Sequence, residues 1–168
     1  MQGPSATLSH PAVAAPPWDE ALAAGIIREL AGLEGALLPI LHALQERFGW
    51  VPREAVPLVA EALNLSRAEV HGVVTFYHDF RASPPGRHVL KLCRAEACQA
   101  MGAEALAEGF MRRHGLAWHG TTGDGGLTLE PVFCLGLCAC APAALLDGEP
   151  LARLDDALLD GLVEGARA

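Results

Sequence analysis

The sequence predicts an α/β protein in which an N-terminal helical bundle is followed by a second domain of mixed strands and helices. Apolar residues recur at spacings of three and four in the first half of the chain, whereas short apolar runs bounded by turn residues mark the second half. The segment RASPPGR lies between the two patterns, and its prolines and glycine suit neither helix nor strand. We therefore predict a bundle over residues 18–80, a linker over 81–87 and the second domain over 88–168.

Capping signals divide the bundle into four helices. Ser66 and Glu69 match a capping box, in which the serine hydroxyl and the glutamate carboxylate each accept a backbone N–H at the start of a helix. Gly49 and Asn64 are residue types that end helices. The helices are expected from Asp19, from Ala36 to Phe48, from Pro52 to Leu63, and from Ser66 towards Tyr77.

Aromatic residues, which are scarce in this chain, concentrate in the segment VVTFYHDF at the end of the bundle. This density makes residues Phe76 to Phe80 a candidate contact surface. The helical spacing of the apolar residues favours the alternative, a side of the helix that faces the core.

The second domain is predicted from alternating strand and helix signals. HVLKL and GLTLEPVF indicate strands, and GAEALAEGFMRRHG indicates a helix that ends at Gly115. Asp147 and Gly148 favour a tight hairpin turn because both residue types tolerate a positive φ. A last helix is expected from Asp155 to about Ala166.

Composition narrows the classes of function. The net charge of −8 argues against nucleic acid as a partner, since phosphate binding needs a clustered basic surface. No apolar run approaches the roughly 20 residues that a membrane-spanning helix needs. Residues 1–17 are rich in Pro and Ala without periodicity, so we expect a flexible tail, no secretion signal and a cytoplasmic protein.

Basic residues are unevenly distributed in this acidic chain. Arg81, Arg87, Lys91 and Arg94 fall in a stretch without acidic residues that leads to the first cysteines. Such a patch is either a solvated surface or a source of positive charge for an anionic centre or an acidic partner. Lys91 and Arg94, beside Cys93, are the candidates for stabilising negative charge there.

Four of the five cysteines form two pairs. Four residues separate Cys93 from Cys98, three separate Cys134 from Cys138, and 35 lie between the pairs. Each pair is expected on a loop that follows a strand. Two loops at one end of a sheet can bring four thiolates together, which suits a metal centre better than disulfides in a reducing compartment. The spacing favours a [2Fe-2S] cluster and leaves structural zinc open.

Longer segments around these cysteines carry a family resemblance. CRAEACQAMG and CLGLC, preceded by LLPILHALQERFGWVP and LSRAEVHGVVTFYHDF, resemble the thioredoxin-like [2Fe-2S] ferredoxin subunit of NADH-oxidising complexes. The family includes subunits of respiratory complex I, of NAD-linked hydrogenases and of NAD-dependent formate dehydrogenases. The similarity spans about residues 20–155, and CRAEACQAMG is most similar to the gamma subunit of formate dehydrogenase.

The resemblance implies a site and a set of partners. Cys93, Cys98, Cys134 and Cys138 would bind one [2Fe-2S] cluster, with Cys140 as an additional cysteine. A partner subunit would carry FMN and bind NAD, and a larger catalytic subunit would hold molybdenum or tungsten in a formate dehydrogenase. The chain would then be a non-catalytic electron-transfer subunit, docked through the bundle and residues Phe76 to Phe80. A zinc-stabilised interaction module is the alternative of a different class.

Overall fold

The computed structural model describes residues 16–167, so residues 1–15 of the predicted tail lie outside the described part. Pro16 and Pro17 have no regular secondary structure. The described chain divides into two compact units, one that ends at Pro85 and one that begins at Gly86. The first is named the helical unit and the second, after the family that its cysteine segments resemble, the ferredoxin unit.

The helical unit has the four predicted helices, with ends determined by local chemistry. The Asp19 carboxylate accepts the Leu22 N–H at 3.0 Å, and both halves of the capping box at Ser66 are present. Gly49, with a φ of 81°, ends the second helix and Asn64, with a φ of 52°, ends the third. The helices are α1 (Glu20–Leu30), α2 (Leu37–Phe48), α3 (Ala55–Leu63) and α4 (Arg67–Phe76). The third helix begins after a turn at Pro52, three residues later than expected.

Apolar side chains from all four helices form the core of this unit. Phe48 is fully buried, and its ring centroid lies 5.1 Å from that of Trp18. Burying a large apolar side chain contributes about 1.5–3 kcal/mol, so this core is the main source of stability of the helical unit. The buried residues include Ala23, Ile27, Ile40, Leu44, Ala55, Val59 and Val70.

Helix α4 departs from the expectation that its aromatic side chains face the core. Phe76 is 73% exposed and Tyr77 is 44% exposed, whereas Phe80 is buried. Val70 is the buried residue of α4, so the helix packs through its first turns and leaves its end accessible. The core prediction is wrong for Phe76 and Tyr77, which lie beyond the part of α4 that contacts the core.

The segment after α4 is attached to the helical unit by Gln45. Its amide donates to the Asp79 carbonyl and accepts the Arg81 N–H, both at 2.7 Å. The Arg81 guanidinium donates to the Gly49 carbonyl, and the Arg81 carbonyl accepts the Val51 N–H. Arg81, the first residue of the predicted linker, is therefore anchored to the end of α2.

The ferredoxin unit contains a four-stranded mixed sheet and three helices. Its elements are β1 (His88–Cys93), α5 (Glu96–Ala100), α6 (Ala103–His114), β2 (Leu127–Val132), β3 (Ala143–Leu146), β4 (Glu149–Ala152) and α7 (Asp156–Arg167). The strand order is β2-β1-β3-β4, with β1 parallel to β2 and antiparallel to β3, and with β3 and β4 forming the predicted hairpin. This confirms the α/β class. The short helix α5 was not predicted.

An apolar core and several polar bridges hold this unit together. Leu90, Leu129, Phe110 and Leu159 are fully buried in one cluster that joins the sheet to α6 and α7. Polar side chains also link elements that are distant in sequence. They are His88 with Asp147 at 2.7 Å, His114 with Asp160 at 2.7 Å, Arg113 with Asp156 at 2.7 Å, and Arg87 with the Ala166 carbonyl at 2.6 Å. Within residues 16–167, no helix is long and apolar enough to cross a membrane.

Candidate metal centre

The strand directions bring the cysteine segments to one edge of the sheet. Strands β1 and β2 run parallel and end together, since Cys93 is paired with Val132. Strand β3 runs in the opposite direction, so its first residue, Ala143, lies at the same edge. The segment from Cys134 to Cys140 connects the end of β2 to the start of β3 and therefore lies beside Cys93.

Cys93 and Cys98 are the buried pair. Cys93 is the last residue of β1 and Cys98 lies in α5, with exposed fractions of 4% and 3%. The expectation that both lie on a loop is wrong, because the chain turns directly from the strand into a helix. Their thiols are hydrogen-bonded to each other. The surrounding side chains are apolar: they are Ala95, Ala103, Ala141 and Ala143, together with Val132, Leu135 and Leu137.

Backbone N–H groups converge on the two buried sulfurs. The N–H groups of Ala95, Cys134 and Leu135 donate to Cys93 Sγ, and that of Ala143 donates to Cys98 Sγ. Cys134 has a φ of 73°, a left-handed conformation uncommon outside glycine, and Gly136 has a φ of 75°. These conformations curl the loop so that successive N–H groups face a sulfur, which is an arrangement that favours an anion.

The two buried thiols differ in acidity. Burial raises the pKa of Cys93, but the N–H donors of Ala95, Cys134 and Leu135, together with the Cys98 thiol, outweigh it and lower the pKa below its ordinary value. Burial and the hydrogen bond to Cys93 raise the pKa of Cys98, and the charges of Cys93 and Cys138 add to this effect. Cys93 is thus the first of the pair to become a thiolate, the form that binds metal.

Cys134 and Cys138 are exposed at the same edge, and Cys140 is half-buried. Cys138 begins a single 3-10 turn that Cys140 ends. The charge of Cys138 is among the causes that raise the pKa of Cys98. Cys140 is held by its backbone: its N–H donates to the Leu137 carbonyl and its carbonyl accepts the Arg153 N–H.

The basic residues next to Cys93 are paired with acids. The Arg94 guanidinium contacts the Glu104 carboxylate at 2.8 Å, and Lys91 lies 3.7 Å from Glu130. The positive charge expected near the cysteines is therefore largely balanced. Sequence reasoning missed these acids because Glu104 and Glu130 are ten or more residues away along the chain.

The donor set fits an iron–sulfur cluster. In residues 16–167, no group of three or more His, Cys, Asp or Glu side chains is arranged to hold a metal ion as the side chains stand. A [2Fe-2S] cluster spreads its four ligands over two irons and is stabilised by N–H groups close to its sulfur ligands. Four thiols at one sheet edge, with N–H donors at the buried pair, provide both features.

Comparison with known proteins identifies the family. The family model of the thioredoxin-like [2Fe-2S] ferredoxin matches residues 23–167, which is most of the chain. The chain belongs to this family. Membership in the thioredoxin-like [2Fe-2S] ferredoxins implies one [2Fe-2S] cluster.

Several curated relatives support the assignment. An NADH-quinone oxidoreductase subunit of Pseudomonas aeruginosa is 37% identical over 114 residues, which cover 68% of this chain and 69% of the relative. An NADH-quinone oxidoreductase subunit of Rhizobium meliloti is 37% identical over 133 residues, 79% of each chain. The NADP-reducing hydrogenase subunit HndA of Solidesulfovibrio fructosivorans is 32% identical over 120 residues, 71% of this chain and 70% of the relative.

A solved structure has a similar fold. A chain of an NAD+-reducing [NiFe]-hydrogenase in the H2-reduced state matches 75% of this thioredoxin-like ferredoxin with a TM-score of 0.62 and 29% identity. The match covers 22% of the hydrogenase chain, so this protein spans less than a quarter of that chain.

Proposed function

We propose that this chain is an electron-transfer subunit that carries one [2Fe-2S] cluster and exchanges single electrons with an FMN-containing subunit that binds NAD. Cys93, Cys98, Cys134 and Cys138 are the proposed ligands. When bound, such a cluster accepts and releases one electron at a time, which complements a flavin that handles hydride pairs.

One observation carries the proposal: β1 and β2 end together, with Cys93 paired with Val132, and the segment from Cys134 to Cys140 leads from that point to the start of β3, so both cysteine segments lie at one edge of the sheet. The family pattern of two cysteines separated by three residues, which Cys134 and Cys138 match, supports Cys138 over Cys140 as the fourth ligand. The chain's part in the chemistry is to hold four thiolates, to direct N–H groups at them, and to surround the buried pair with apolar side chains that exclude water.

The end of α4 is the docking surface that we propose for the NAD-binding subunit. Phe76 and Tyr77 are exposed there, and their rings are edge-on with centroids 5.2 Å apart. Exposed aromatic side chains are enriched at protein interfaces because they bury much apolar area while losing few rotamers. Val73 and Val74 of α4 are half-buried against the core beside them, and the charged residue Asp79 of the same segment is exposed.

For the parent complex we propose an NAD-dependent formate dehydrogenase with a molybdenum- or tungsten-containing catalytic subunit. The resemblance of the segment CRAEACQAMG to the gamma subunit of those enzymes supports this choice. The relatives from NADH-quinone oxidoreductases and the hydrogenase subunit HndA support the second candidate equally, a subunit of a complex I or hydrogenase assembly.

Metal analysis tests the cluster. Anaerobically purified chain should contain about two irons and two acid-labile sulfides and should give an electron paramagnetic resonance signal after reduction. Cys140→Ser should keep this signal, whereas Cys138→Ser should lose or alter it. Zinc without sulfide would contradict the proposal and support a structural module. A signal that depends on Cys140 would contradict the ligand set.

Purification of the assembled complex tests its identity. The chain, tagged and expressed at its native level, should bring down an FMN-containing subunit, and the complex should reduce NAD with formate. NAD reduction with hydrogen, or quinone reduction with NADH, would instead assign the complex to the second candidate. Phe76→Ala should weaken the association, and Leu33→Ala is the matched control because Leu33 is an exposed apolar residue outside α4.

A further inference from the structure

The side chain of Arg94 joins separate parts of the ferredoxin unit around the cysteines. Its Nε and Nη2 donate to both carboxylate oxygens of Glu104, at 2.8 to 3.3 Å. Its guanidinium carbon lies 4.9 Å from the ring centroid of Trp118. A forked pair combined with stacking on an aromatic ring restrains both the direction and the plane of a guanidinium.

Two contacts close the segment 95–103, which includes α5 and carries Cys98. Glu104 lies in the first turn of α6, so its pair with Arg94 bridges the ends of the segment 95–103. Within it, the Gln99 side-chain amide donates to the Arg94 carbonyl at 2.7 Å. Cys98 lies between these attachment points, and Cys93 directly precedes Arg94. The distance between the two buried thiols therefore depends on this closure.

The positive charge of Arg94 is balanced by an acidic partner. The structural role of its side chain can therefore be distinguished from an electrostatic role. Glu104 lies at 2.8 Å, so the pair presents little net charge to the sulfurs. The backbone N–H of Arg94 donates to the Val132 carbonyl at 2.8 Å, a bond that every residue except proline keeps. What the arginine side chain adds is the closure of segment 95–103.

We propose that Arg94 is a positioning residue, which holds the Cys98 thiol against Cys93 through Glu104 and Trp118 rather than by its charge. The positioning role itself does not depend on the proposed function. Only its expected consequence, the retention of iron, rests on that function. Lysine keeps the charge but has neither the fork nor the planar group, so Arg94→Lys separates position from charge.

The first test uses the full chain without metal and does not depend on the proposed function. The rate at which iodoacetamide alkylates Cys98, relative to the exposed Cys138, reports how often segment 95–103 opens. Arg94→Lys and Arg94→Gln should both increase this ratio several-fold. Arg112→Lys should leave it unchanged, since Arg112 is an exposed residue of α6 that is paired with Glu108 at 3.6 Å. A wild-type ratio in Arg94→Lys would overturn the inference.

The second test uses the iron-loaded chain. Arg94→Lys should lose iron to a chelator about tenfold faster than the wild type, as is typical when a group that orients metal ligands is removed. Its reduced paramagnetic resonance signal should broaden. Iron loss at the wild-type rate in Arg94→Lys, with faster loss in Arg94→Gln, would show that charge is what matters and would overturn the inference. A wild-type chain that binds no iron would refute the proposed function, and the alkylation ratio would still decide the role of Arg94.

Discussion

The helical unit and the ferredoxin unit differ in the side chains that join their elements. The helices of the first unit meet through apolar residues such as Ile40, Leu44 and Phe48. The second unit has an apolar core as well, and charged side chains also link its elements, as in the pairs Arg94–Glu104 and His114–Asp160.

The difference follows from the backbone. A helix satisfies most of its own N–H and C=O groups, so a bundle needs little beyond apolar contact. The loops at a sheet edge present groups that side chains must satisfy, as Gln99 does for the Arg94 carbonyl. The helical unit can therefore expose aromatic residues at the end of α4 without losing its core, whereas the ferredoxin unit needs polar contacts close to its cysteines.

The largest effect is expected in the core of the helical unit. Phe48→Ala should lower the free energy of unfolding by about 3–5 kcal/mol, because it leaves a cavity at a fully buried ring. Phe76→Ala, the matched control, should change it by less than about 0.5 kcal/mol. Denaturant unfolding measures the free energy, and hydrogen exchange of peptides from α1 to α4 locates the change. Equal losses for the two variants would mean that Phe76 belongs to the core.

A smaller decrease in the free energy of unfolding is expected from Gly126→Ala in the ferredoxin unit. A Cβ at Gly126 would lie 2.9 Å from the Ala166 carbonyl oxygen and 3.1 Å from Asp124 Oδ1, so β2 and the end of α7 would have to separate. We expect a destabilisation of about 1–3 kcal/mol, measured by thermal unfolding. Gly161→Ala, in the middle of α7 with open space around it, should instead stabilise the chain by about 0.5–1 kcal/mol. Destabilisation by both would argue against the tight contact at Gly126.

Ser66→Ala should destabilise α4 by about 1 kcal/mol, since the Ser66 hydroxyl accepts the Glu69 N–H at 3.2 Å. Hydrogen exchange should accelerate in the first turn of α4, and Ser66→Asp should restore protection. Ser83→Ala, at an exposed position after the bundle, is the control that should show no change. A loss of protection from hydrogen exchange that is confined to the ferredoxin unit would contradict the assignment of this cap.

The smallest effect is a pH-dependent one at the bridge between α6 and α7. The hydrogen bond from His114, together with Arg113 and against the opposing effect of burial, lowers the pKa of Asp160. A carboxylate with a folded pKa below its unfolded value of about 3.9 stabilises the fold above that value and loses this contribution as the pH falls through the folded pKa. Asp160→Asn should therefore cost less than about 1 kcal/mol at pH 7.

The difference between wild type and Asp160→Asn in denaturant unfolding should shrink as the pH is lowered below about 4. Glu164→Gln, on the exposed side of α7, should show no such convergence. A difference that grows on acidification would have the wrong sign for a lowered pKa.

Local signals accounted for most of the secondary structure. The capping box at Ser66, the helix ends at Gly49 and Asn64 and the turn at Asp147 act within a few residues, so the sequence displays them directly. The spacing of the cysteines is equally local, and it predicts one metal centre without reference to the strand order. Helix α5 was not predicted because five residues are too few to show a helical period.

By itself, the sequence determined the α/β class, the caps that end most of the longer helices and the four cysteines that are the candidate ligands, because each depends on neighbours along the chain. Only the tertiary structure decided that Phe76 is exposed, that Arg94 is paired with Glu104 and stacked on Trp118, and that the N–H groups of Cys134 and Leu135 face Cys93. These contacts join segments far apart in sequence. Their geometry depends on strand order and register, which no local pattern specifies.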